Sequence, residues 1–92
     1  MKWYLVKIGN GGNVHDFSSS KVMNTDEIRS YVKSLGCSNP NIEFCCLDKR
    51  LSLYAWHLLG DFGNYKQQHI MWIYSPTRNI PYLSEYIKLP TS

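Results

Sequence analysis

The sequence predicts an α+β fold: an antiparallel sheet of four to five strands, packed by one firm helix at about 25–35 and a short C-terminal helix at about 80–88. Three observations carry this expectation. Residues 2–8, KWYLVKI, mix aromatic and β-branched types in strand fashion. Residues 25–35 hold a full set of helix signals. Residues 68–75, QHIMWIYS, are apolar on both faces from Ile70 onward, the mark of a central strand.

In the first strand, Tyr4, Val6 and Ile8 fall on one face and Trp3, Leu5 and Lys7 on the other. The run GNGGN that follows is a turn signal, and VHDF at 14–17 reads as a short returning strand. The helix comes next. Ile28, Tyr31, Val32 and Leu35 repeat at i, i+3, i+4 and i+7. Asn24 is an N-cap with Glu27 completing a capping box, and Met23 and Ile28 occupy the positions of a hydrophobic staple. Asp26 and Glu27 suit the positive end of the helix dipole and Lys33 the negative end, with Gly36 placed to stop the helix.

Residues 44–60, FCCLDKRLSLYAWHLLG, fit two templates. As a helix, Asp48 caps a stripe of Leu51, Tyr54, Ala55, Leu58 and Leu59. As a hairpin, 41–47 pairs with 50–56 around Asp48–Lys49, so that Ile42 meets Ala55, Phe44 meets Leu53 and Cys46 meets Leu51 on one apolar face. That sorting favours the hairpin, although Asp-Lys is a poorer tight turn than Asp-Gly. It leaves Arg50, Tyr54 and Trp56 on the other, outer face. GDFGNYK reads as a loop before the central strand. At the C-terminal end, Asn79 caps a short helix with Pro81 in its first turn and Leu83, Tyr86 and Ile87 facing inward.

The chain has 92 residues, so one domain spanning 1–92 is expected. Its apolar fraction of 43% is that of a folding chain rather than a disordered one. Seven Tyr, three Trp and three Phe are more rings than so small a core holds, and surplus rings suit an interface. The net charge of +3 is spread along the chain, short of the dense basic stripe of a dedicated nucleic-acid binder. Three cysteines, an odd count, with no signal-peptide pattern and no apolar run of membrane-spanning length, point to a reduced, cytoplasmic setting.

No motif assigns catalytic, metal or cofactor residues. Cys37, Cys45, Cys46, His15, His57 and His69 show neither C-x-x-C nor H-x-x-x-H spacing, and both templates separate His57 from Cys46. A disulfide from Cys37 to Cys45 or Cys46 is disfavoured by the odd count and the reduced setting. GNGGNVHDFSSSK lacks the G-K-[ST] ending of a phosphate loop. A metal-independent nuclease needs two groups titrating near neutrality beside a cation, and nothing in the spacing of His15, His57 and His69 brings them together.

The expectation is therefore a non-enzymatic protein-binding module, an inhibitor or adaptor that occludes a partner's site. Small inhibitors of this build include phage-borne anti-CRISPR and toxin-immunity proteins, though no motif identifies such a family. Trp3, Lys49, Arg50, Tyr54 and Trp56 are the expected contact residues, with the Lys49–Arg50 tip suited to an acidic partner. The alternative is a small nucleic-acid-binding domain, in which Trp3 with Lys7, and Arg50 with Tyr54 and Trp56, form a stacking platform. Exposed strand edges and surplus rings are also compatible with a homodimer.

Overall fold

The computed structural model describes residues 2–8 and 20–87. It is an α+β fold: one five-stranded antiparallel sheet, one α-helix and a short 3-10 helix. In chain order the elements are β1 (Trp3–Ile8), β2 (Ser20–Asn24), α1 (Thr25–Ser34), β3 (Ser38–Asp48), β4 (Leu53–Phe62), β5 (Tyr65–Ser75) and the 3-10 helix Pro81–Tyr86. The strands lie in the order β2-β1-β5-β4-β3, so β5 is central and joins β1 to the β3–β4 hairpin. The expected strand at 14–17 lies outside the described residues. β2 was not expected from the sequence: its Ser, Lys and Asn mask a strand that buries Met23 and leads straight into the helix.

α1 forms as its sequence demands. The Asn24 side chain accepts from the Glu27 N–H at 2.8 Å, and the Glu27 carboxylate accepts from the Asn24 N–H at 3.1 Å. Ile28 and Val32 are buried and Tyr31 packs half-buried beside them. Gly36 follows at φ 68°, a left-handed conformation that favours glycine at a helix stop.

The main core lies between α1, the 3-10 helix and one face of the sheet. It gathers Tyr4 and Val6 from β1, Ile42 from β3, Trp56 and Leu58 from β4, and Met71 and Ile73 from β5, together with Ile28, Val32, Ile80 and Leu83. Gly60 lies on this face, where a Cβ would meet Ile70 Cδ1 at 2.9 Å and Cys37 Sγ at 3.0 Å, so that these side-chain ends would have to shift to admit one. The expected C-terminal helix is a 3-10 helix kinked at Leu83, and Ile80, not Asn79, is its cap residue, with no side-chain hydrogen bond. Its inward residues are as expected: Leu83 is buried, and Tyr86 and Ile87 pack half-buried on the core. Arg29 ties this helix to α1 through Glu85 and the Tyr82 carbonyl.

Residues 44–60 settle as a hairpin, but in a different register from the expected one. Ile42 pairs with Leu58 and Phe44 with Trp56; then a bulge intervenes, and Cys46 pairs with Ala55 and Leu47 with Tyr54. Two causes are visible. The turn takes four residues, 49–52, because the Asp48 carboxylate accepts both the Arg50 and Leu51 N–H groups, at 3.0 and 3.1 Å. The extra residue at Cys45 then reverses which face the rest of β3 presents. The segment read as a loop, GDFGNYK, is in fact the end of β4, a two-residue turn and the start of β5. Phe62 pairs with Tyr65, and Gly63 sits at φ 59°, as the first central position of a type II′ turn requires. Asp61 steadies the irregular pairing beside this turn by accepting from Asn39 Nδ2 at 3.1 Å and from the Gln67 N–H at 3.0 Å.

Candidate functional site

Among the described residues, α1 and the 3-10 helix pack on one face of the sheet, and the other face is laid out by the strands alone. Strand alternation and register define two rows across that second face, on which no helix packs among the described residues. One runs Ser20, Lys7, Trp72, His57, Glu43, and the next Val22, Leu5, Tyr74, Ala55, Cys46. The second row is apolar along most of its length. Ala55 and Tyr74 of this row join Trp72 of the first in a second buried cluster, 0–5% exposed and flanked by half-buried Leu5, Cys46, Leu51 and Leu53. Trp3 lies diagonally beside Val22 on this face, and the two are 56% and 58% exposed. Trp3 and the 49–52 turn stand at the same end of the sheet, two to three strands apart, about 10–14 Å at the usual strand spacing.

The structure divides the five expected contact residues. Trp3 is exposed on the sheet face away from α1, and Lys49 and Arg50 are exposed at the β3–β4 tip, where they and Leu47 and Asp48 line a shallow depression. Tyr54 and Trp56 are not on an outer face. Trp56 is only 8% exposed and stands in the main core, edge-on to Phe44 at 5.3 Å. Tyr54 packs half-buried against the same core, 6.1 Å from the Phe44 ring. The register change around Cys45 is the reason: the face assigned to water is the one beneath the helix. On its other side Phe44 carries the Arg78 guanidinium, 4.3 Å from the ring centre. Leu5, Val22 and Leu53 were not singled out by sequence. The alternation of β1 already put Leu5 beside Trp3, but Val22 belongs to the unforeseen β2.

Two of the histidines do meet, against the expectation from spacing. His57 Nε2 lies 2.7 Å from His69 Nδ1, and the His57 ring stacks on Trp72 with centroids 3.9 Å apart and planes inclined by 13°. The Gly63–Asn64 turn folds β5 back on β4 and brings them together, so reading that dipeptide as a hairpin turn was the available signal. Burial, and secondarily the neighbouring His69, lower the His57 pKa to about 4. His57 is then neutral at pH 7. It has no proton to give as a general acid and is a weak base, so it is poorly matched to acid–base catalysis at neutrality. Among the described residues no three His, Cys, Asp or Glu side chains are grouped to hold a metal ion, and the three cysteines are free. No helix among the described residues is long and apolar enough to cross a membrane.

Comparison with known protein families, with curated proteins and with solved structures finds no match to this chain.

Proposed function

We propose that the chain is a non-catalytic protein-binding module that docks through the exposed Trp3–Val22 corner of its sheet and occludes a site on its partner. One observation carries the reading. An antiparallel sheet with a helix on one side ordinarily presents polar residues on the other; here Trp3 and Val22 stand exposed side by side, continuous with half-buried Leu5. Tryptophan in such a setting is a frequent anchor of binding energy. Lys49 and Arg50 add a basic rim at the far side of the same end of the sheet, which suits an acidic margin on the partner. The mode of action is that of small inhibitors such as anti-CRISPR and toxin-immunity proteins. The nucleic-acid alternative has less support, since Lys7 is 2% exposed and Trp56 8%, which removes both from a stacking platform.

The test is quantitative affinity capture from host lysate, followed by titration of the purified partner. The double variant Trp3→Ala, Val22→Ser is expected to weaken binding by about a hundredfold while unfolding at the wild-type temperature. Trp56→Ala is the contrasting variant: it is expected to lose about 3–5 kcal/mol of stability. A partner held equally by wild type and the double variant overturns the proposal, as does wild-type capture of nucleic acid alone with affinity falling steeply with salt. Self-association as the only binding seen in sedimentation would reassign the Trp3–Val22 corner to a homodimer and also overturn it.

A further inference from the structure

The paired cysteines lie on β3, the edge strand away from the Trp3–Val22 corner, with Cys46 bordering the second buried cluster. Adjacent residues of a regular strand point to opposite faces, which keeps their side chains apart. Cys45 and Cys46 escape that rule because the pairing slips between Phe44 and Cys46, leaving Cys45 as the extra residue of a bulge. Their sulfurs converge to 3.5 Å. Cys45 is exposed and Cys46 half-buried, so the pair is open to small reagents. Cys37 is set apart: its thiol faces the Val32 carbonyl at 3.9 Å and packs against Gly60.

We propose that Cys45 and Cys46 form a bidentate dithiol site for a monosubstituted trivalent arsenical, a soft, thiophilic centre that needs two sulfurs and no other protein ligand. Geometry selects this class. With thiolate bonds of about 2.3 Å, a 3.5 Å separation subtends roughly 100° at the bound atom. That suits a pyramidal three-coordinate centre and is far too narrow for a linear two-coordinate ion. A tetrahedral zinc site wants four protein ligands or three and a water, and no group of three His, Cys, Asp or Glu is present among the described residues. The neighbouring thiol also restrains the ionisation of Cys45. Burial first, then the hydrogen bond and charge of Cys46, push Cys45 up to about 11. Such a thiol is slow in disulfide exchange, whereas an electrophilic centre bridging both sulfurs removes the repulsion between them.

The step balances without an oxidant. With phenylarsine oxide as the probe, both S–H bonds and the arsenic–oxygen bond break and two arsenic–sulfur bonds form. The two protons and the oxygen leave as one water, and arsenic stays trivalent.

Native mass spectrometry of the reduced, full chain with one equivalent of phenylarsine oxide tests this. One adduct per chain, short of one water, is expected for wild type and for Cys37→Ser. Cys45→Ser and Cys46→Ser are each expected to weaken the adduct by at least about tenfold, since the second sulfur then acts only intermolecularly. A small dithiol should strip the probe and an equal concentration of monothiol should not. Because Cys45 is exposed, its serine variant should melt with the wild type, which keeps the comparison free of unfolding. An absent wild-type adduct, an adduct undiminished in both serine variants, or one removed by monothiol overturns the proposal.

Discussion

His57 shows how a single side chain links packing to pH. Its imidazole is flat against Trp72 and within hydrogen-bond reach of His69, with Glu43 opposite it on β3, and Lys7 beyond Trp72 on β1. Its folded-state pKa of about 4 lies below the unfolded value of 6.5. Between those values the unfolded chain binds a proton that the folded chain refuses, so stability rises with pH across this window. The contribution is complete above about pH 6.5 and is lost progressively as pH falls toward 4. His57→Gln is expected to lose less stability between pH 6.5 and 4 than wild type, as measured by urea unfolding at each pH. An unchanged pH slope would show that His57 is not the proton-linked group. Trp3 and Trp56 make a second contrast at this scale, since the same residue type is 56% exposed at one position and 8% at the other. Nothing in the two local sequences distinguishes them; the register of their strands does.

Among the elements, α1 was fully legible and the β3–β4 hairpin only partly so. A helix states its boundaries locally, through a cap, a box and a stop within a dozen residues, and each of those features is present. The cap carries a measurable share of stability. Asn24→Ala removes the acceptor for the Glu27 N–H, and a loss of about 1 kcal/mol is expected; urea midpoints checked against an unchanged m-value measure it. The α+β class and the central place of β5 were also readable, because apolar residues on both faces leave few other positions for a strand. Register was not. It depends on a buried carboxylate, Asp48, taking two backbone donors, and on one unpaired residue at Cys45, and neither leaves a periodic trace. β2 was hidden for the opposite reason. It is an edge strand with polar residues at three of its five positions, Ser20, Lys21 and Asn24, and its pairing with β1 spans a long connection. The candidate site inherits this division: Trp3, Lys49 and Arg50 are where the sequence put them, whereas Tyr54 and Trp56 crossed to the core.

At the scale of the whole molecule, the order β2-β1-β5-β4-β3 makes one strand the keystone. β5 pairs with β1 on one side and β4 on the other, and it contributes Ile70, Met71 and Ile73 to the main core and Trp72 and Tyr74 to the second cluster. No part of the sheet spanning β1 to β4 exists without it. A fragment ending at residue 64 is therefore expected to show no cooperative thermal transition, although it retains α1 and both strands of the β3–β4 hairpin. A sharp calorimetric peak from that fragment would contradict the keystone role.

The same arrangement fixes the chain's behaviour during biosynthesis. On the ribosome β1, β2, α1, β3 and β4 all emerge before β5, and until then two strand edges wait for the same missing neighbour. A nascent chain in that condition accepts any β5, its own or that of a neighbour on the same messenger. The short Gly63–Asn64 turn tips the competition toward self, because it holds β5 within reach of β4 as soon as both are free. Crowded polysomes, rather than the finished protein, are where strand exchange between copies of this chain would begin.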